Sequence, residues 1–339
     1  MDEKGKVTIY DLAQKLNTTA STVSRALQNN LRISAKMRKA VQDLANELHY
    51  IPDPVAHHLR TGKGNVLGII VPRIDRHYFA SIISSFQKTA QKQNYNIIIA
   101  ASNENQEEEA AAVKALLSKK VDGIAMSLSA VTVNPNYEDF CKAHNTPLLF
   151  FDRTPNEYQA DSVTNDNYQL GYDAVVQLNK TGKKKIGHFA GPLTQKVYAD
   201  RFAGYKKAIE DLGLEFNQNL VYERCITFET GEETAKNILS SDEKPDAIFS
   251  AGDFSAITAM DTLKREGINI PQDISFIGVA NEPFDNYLST PLTSFDLHEQ
   301  RIGELAATLL LDRIADKDKT KEPQRIIVQH DLILRNSAQ

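Results

Sequence analysis

The chain predicts an all-α head and a hinge helix, joined to an α/β body of two doubly wound lobes. Three observations carry this. Apolar residues recur at helical spacing through residues 1–52. A short segment opened by Asp-Pro fills residues 53–64. From 65 to 339, apolar runs alternate with helical stretches in a pattern that restarts near residue 164.

The first helix opens after Thr8, whose hydroxyl suits an N-cap, and buries Ile9, Leu12, Ala13 and Leu16 on one face. Asn17 and Thr18 break it. Thr18 or Thr19 caps a second helix, with Val23, Ala26 and Leu27 inward and Ala20, Ser21, Thr22, Ser24 and Arg25 outward. A third runs from Ser34 to about His49, with Met37, Val41, Leu44, Ala45 and Leu48 as its stripe. Two short helices around a tight turn, the second with a small polar outer face, form a helix-turn-helix that suits the DNA major groove. Small side chains permit close approach, and Arg25 reaches guanine or phosphate.

Asp53 is a good N-cap and Pro54 suits a first helical turn. The segment Val55 to Arg60 is too short to hold a helix alone in water, so it is expected to fold against a partner. Leu59 has little core around it and is a candidate wedge for the minor groove. The competing reading packs it on the following domain. Charge follows the same division. Residues 1–64 carry ten Lys and Arg against six Asp and Glu, a net of +4, within a chain of net charge -5. A basic head on an acidic body suits docking to DNA through the head alone.

This block resembles the DNA-binding head of the lactose/galactose repressor (LacI/GalR) family of bacterial transcription regulators. The family's Val-Thr-Ile-x-Asp-Val-Ala opening reads here as Val7 to Ala13, with Leu12 for Val. Its Thr-Val-Ser-Arg core is Thr22 to Arg25, and its hinge signature is Leu48, Tyr50, Pro52, Ala56 and Leu59. The resemblance implies that Ala20, Ser21 and Arg25 face bases and that Thr8, Tyr10, Thr22 and Ser24 hold phosphates. It also implies that Ala56 and Leu59 lie in the minor groove, Leu59 as one of a pair of wedges. Gln28 stands where the family often has Asn after the recognition helix.

In the body, Val66 to Val71 is a continuous apolar run, as a buried parallel strand should be. A helix at about Phe79–Gln93 follows, then the strand Ile97–Ala101, an acidic helix from near Gln106, and the strands Gly123–Met126 and Pro147–Phe151. After Asp161–Asn165 come the strands Ile186–Ala190, Ala247–Ser250 and Ile274–Gly278. Two βαβ halves predict two lobes, with ligands held in a cleft at the carboxyl ends of the strands. Tyr78 and Phe79, after the first strand, suit stacking on a ring. Asp152, ending the Leu-Leu-Phe-Phe strand, suits accepting from hydroxyls.

The body resembles a type I periplasmic sugar-binding protein, as the core of the same family does. That fold crosses between its lobes three times, which implies crossings near Val163–Asn165, Leu292–Ser294 and Glu322–Gln324. The N-lobe would then be about 65–163 and 294–322, and the C-lobe about 164–293 and 323–339. Arg201 matches the family's Arg-x-x-Gly-aromatic motif, which implies that it grips the effector by charge-assisted bonds. Phe228 falls where the family has an aromatic wall. Asp253 reads first as an N-cap and second as a ligand contact. Ala280 replaces an Asp frequent in the family, with Asn281 or Glu282 as substitutes, and Gly252 stands where sugar-binding members have Asn.

Cys141 and Cys225 lack a CxxC partner or a His cluster, so reduced thiols are expected, with no disulfide, no metal site and no cofactor. No stretch approaches the roughly 20 apolar residues of a membrane span, and a cytoplasmic protein is expected. GxSxG, HExxH and Walker A patterns are missing, so catalysis is not expected. The resulting expectation is a homodimeric repressor of near-palindromic operator DNA. A small-molecule effector in the cleft, a sugar or sugar derivative, would control it and tie it to carbohydrate metabolism by allostery. The alternatives are a purine- or sugar-phosphate-responsive regulator and a binding protein without DNA function.

Overall fold

The computed structural model describes residues 7–51, 64–316 and 321–339. Contacts divide the chain into Met1–Gly64 and Asn65–Gln339. The head holds α1 (Ile9–Lys15), α2 (Ala20–Leu27) and α3 (Ala35–Glu47). Thr8 forms a capping box with Asp11, its amide donating to Asp11 Oδ2 at 2.7 Å. Thr19, not Thr18, caps α2 by accepting from Thr22 N at 3.2 Å, and Ser34 caps α3. Leu12, Val23, Ala26 and Val41 are fully buried between the three helices, with Leu27 half-buried at the margin. Gln42 Nε2 donates to Asn29 Oδ1 at 2.7 Å and Arg38 Nη1 to the Ile33 carbonyl at 2.8 Å, so α3 fixes the turn that follows α2. The expected hinge helix, with Ala56 and Leu59, lies outside the described residues.

The body begins with β1 (Val66–Val71), α4 (His77–Lys92), β2 (Asn96–Ala101), α5 (Gln106–Ser118) and β3 (Gly123–Met126). It continues through α6 (Tyr137–Ala143), β4 (Leu148–Phe151), β5 (Asp161–Asn165) and α7 (Asn167–Lys180). Then come β6 (Ile186–Phe189), α8 (Lys196–Asp211), β7 (Val221–Tyr222), α9 (Phe228–Ser240), β8 (Ala247–Ser250) and α10 (Asp253–Arg265). The last are β9 (Ser275–Val279), β10 (Thr293–Asp296), α11 (Glu299–Ala315), β11 (Arg325–Val328) and β12 (Asp331–Ile333). One sheet has the order β11-β5-β4-β3-β1-β2, the other β12-β10-β9-β8-β6-β7. Every pair is parallel except β10 with β12. The central strands are apolar on both faces because helices cover both.

Two expected crossings are corrected. β10 pairs with β9, so residues 293–296 belong to the C-lobe, and the chain crosses after them rather than at 292–294. β11 pairs with β5, so 325–328 belong to the N-lobe, and the last crossing follows them rather than 322–324. At each place a turn breaks the pattern, but the next strand still completes the sheet it came from. The Asn165 amide draws the three crossings together, donating to Leu297 O at 3.1 Å and to Val328 O at 3.0 Å.

Candidate DNA-reading face and inter-lobe cleft

On the head, Ser21 and Arg25 are exposed while Ala20, Thr22 and Ser24 are half-buried, as an outer face resting on a core should be. Tyr10 stands 74% exposed. Two of the expected phosphate holders are already engaged. Thr8 Oγ1 donates to Asp11 Oδ2 at 2.7 Å, and Thr22 Oγ1 lies 3.0 Å from Thr19 Oγ1. Both contacts fasten helix starts, where free backbone amides and the helix dipole favour an anion.

In the body, the carboxyl ends of β1, β4, β6 and β8 converge with the start of α8. Tyr78 Oη and Ser127 Oγ donate to the two oxygens of Asp152, each at 3.2 Å. Asp152 takes a left-handed φ of 56°, which Asp tolerates, directly after β4. Burial pushes its carboxyl up, against the pull of Arg153 and Arg201. Arg201 is 5% exposed and donates from Nε to Asn167 Oδ1 at 2.9 Å and from Nη1 to the Ala251 carbonyl at 2.8 Å. Both acceptors are neutral. Burial pulls this guanidinium below its ordinary pKa, and Tyr198, Asp152 and Tyr78 lean the other way. Tyr78, Asp152 and Arg201 are thus brought to one place, with Phe79 edge-on to Tyr78 at 5.2 Å.

The C-lobe rim departs from expectation at two residues. Gly252, not Asp253, is the N-cap of α10. Asp253 has no exposed surface, and its carboxylate accepts from Ser294 Oγ at 2.7 Å and Glu282 N at 3.1 Å, so it organises the loop after β9. Asn281 is also committed: Nδ2 donates to Asp296 Oδ2 at 3.1 Å, and Oδ1 accepts from Arg335 Nη2 at 2.6 Å. The sharp turn at Ala280, φ 115°, and Asn281, φ 49°, precedes those contacts. Phe228 is 40% exposed and meets the Phe254 ring edge-on at 4.8 Å.

Sequence reasoning missed Arg153 and its partners. Arg153 Nη1 pairs with Glu104 Oε1 at 2.8 Å, while Nη2 donates to Tyr198 Oη at 3.2 Å across the cleft. Burial pulls this guanidinium down, but Tyr198, Glu104 and Asp152 outweigh it and hold it above its ordinary value. A basic residue directly after Asp152 was the available signal. Its partners lie 49 and 45 residues away, beyond any local pattern. His188 is core: it has no exposed surface, stacks on Phe249 at 4.7 Å, and burial pulls its pKa down to about 4. Among the described residues no His, Cys, Asp and Glu group could hold a metal ion, and no helix is long and apolar enough to cross a membrane.

Residues 8–53 match the family described as bacterial regulatory proteins, lacI family. Residues 64–336 match the periplasmic binding proteins and sugar binding domain of the LacI family. The HTH-type transcriptional repressor PurR of Pasteurella multocida (strain Pm70) is 30% identical over 97% of this chain and 98% of its own length. The ribose operon repressor of Haemophilus influenzae (strain ATCC 51907 / DSM 11121 / KW20 / Rd) is 28% identical over the same shares. In fold, the chain is similar to the lac repressor dimer bound to operator and the anti-inducer ONPF, with a TM-score of 0.86, 22% identity, and coverage of 98% of this chain and 99% of that one. These proteins are named as repressors, and none as an enzyme.

Proposed function

Because the chain belongs to the LacI family of bacterial regulatory proteins, we propose that it represses transcription from a near-palindromic operator and that a small ring-shaped effector in the inter-lobe cleft sets its affinity. The observation that carries the cleft reading is Arg201, a buried guanidinium with only neutral acceptors, close to Asp152 and Tyr78. A ligand oxygen or ring nitrogen there gains a charge-assisted hydrogen bond in a dry site. Ala20, Ser21 and Arg25 read bases, Thr8, Tyr10, Thr22 and Ser24 hold phosphates, and Ala56 and Leu59 enter the minor groove. The protein works in the cytoplasm as a homodimer, since a two-fold operator calls for a two-fold protein.

For the effector, a purine is favoured over a sugar. The C-lobe rim offers aromatic rings, Phe228 and Phe254, while Asp253 and Asn281, which would read hydroxyls, are bound internally. A sugar remains the second reading because Asp152 accepts from hydroxyl donors and one relative is a ribose operon repressor. The effector's leverage equals its preference for one lobe arrangement, typically ~1–3 kcal/mol.

The test is a thermal-shift screen against purine bases, nucleosides, free sugars and sugar phosphates, repeated with Arg201→Ala. One class raises the midpoint of the native chain and not of the variant. A shift that survives Arg201→Ala refutes the cleft assignment. In parallel, a duplex selected from random DNA should bind tightly, and Arg25→Ala should relax its base preference.

A further inference from the structure

Arg76 is the N-cap residue of α4, yet its side chain makes no cap bond there. Neighbouring Asp75 is taken by Arg73, whose Nε donates to Asp75 Oδ1 at 2.8 Å. The Arg76 guanidinium instead lies over the ring of Phe254, 3.7 Å from its centroid. Arg76 belongs to the N-lobe, and Phe254 belongs to α10 of the C-lobe. Phe254 is the middle of a row, edge-to-face with Phe228 at 4.8 Å and with Phe284 at 5.3 Å. Two more C-lobe groups feel the charge of Arg76: Glu229 on α9 and Glu282 after β9. The Glu282 carboxyl is also drawn down slightly by the Tyr78 backbone amide, in the first turn of α4. One N-lobe cation therefore rests on one C-lobe ring and lies within the field of two C-lobe carboxylates.

We propose that Arg76 is an inter-lobe latch, which holds the cleft closed in the effector-free protein by docking on the Phe228–Phe254–Phe284 row. The attraction is that of a cation for the negative face of an aromatic ring, strengthened as water is excluded. It is spent only in the closed arrangement, because ring and cation ride on different lobes. The guanidinium also covers the face of the central ring, so any molecule that stacks there must first displace it. Effector entry and latch release are thus one competition.

The test is a distance measurement across the cleft, on the full chain without DNA or effector. Its failure would therefore leave the reading of head and cleft standing. Nitroxide labels go on Glu107→Cys and Glu233→Cys, exposed positions on α5 and α9. The native Cys141 and Cys225 are each 1% exposed, and burial pushes their thiols up to about 12 and about 11, so they resist labelling. The labelled parent should show one narrow distance. Arg76→Ala and Phe254→Ala should lengthen and broaden it, whereas Arg76→Lys and Phe254→Tyr, which keep cation and ring, should stay near the parent. An Arg76→Ala variant with the parent's melting point and distance overturns the latch.

Discussion

Asp285 sits without exposed surface beside Asp253, and burial, then the charge of Asp253, pushes its carboxyl up to about 9. At neutral pH it keeps its proton. In the unfolded chain the same group ionises near its usual 3.8. The folded form therefore binds this proton more tightly, so acid favours folding here. That contribution is lost as pH rises from the usual value toward about 9. Asp285→Asn keeps the shape without the titration. Its melting temperature should fall less than the parent's between roughly pH 6 and 9, as thermal melts would read, and parallel slopes would refute the account. At this scale the sequence was legible where a residue's role is local. Tyr78, Phe79, Asp152 and Arg201 follow strand ends or a short motif. Arg153 with Glu104, and Asp253 with Ser294, depend on partners brought in by folding, and so the first was missed and the second misread.

Helices α7 and α8 pack backbone to backbone, and two glycines allow it. A Cβ on Gly171 would lie 2.0 Å from the Arg201 carbonyl, and one on Gly204 would lie 1.9 Å from the Tyr168 carbonyl. Neither oxygen belongs to a flexible side chain that could yield. Gly204→Ala should cost about 1–3 kcal/mol by forcing the helices apart, measured by urea unfolding. It should also weaken effector binding, since Arg201 lies one turn earlier on the same helix face. An unchanged urea midpoint would show that the pair has slack. Elements with strong period were legible: the three head helices, and the continuous apolar strands such as β1 and β8. The short strands β7, β10, β11 and β12 were not. Each is two to four residues long and gains its identity only from the neighbour it pairs with. That is why two crossings were placed one strand too early.

For the whole molecule, the edge strand β2 leaves Ile98 38% and Ile99 47% exposed. Sequence alone reads this strand as apolar and cannot tell an edge from a centre. Large apolar side chains on an open edge are a surface that a second copy can cover. Ile98→Asp with Ile99→Asp should turn the proposed dimer into a monomer in sedimentation velocity and lower operator affinity with it. A variant that still sediments as the parent would move the pairing surface elsewhere. The single Asn165 amide, hydrogen-bonded to the carbonyls of both other crossings, has a mechanical meaning. Three strands pinned at one point leave the lobes free to tilt but hinder any slide of one past the other. Any opening of the cleft is then an angle, small at the pivot and widest at the far tips of the lobes.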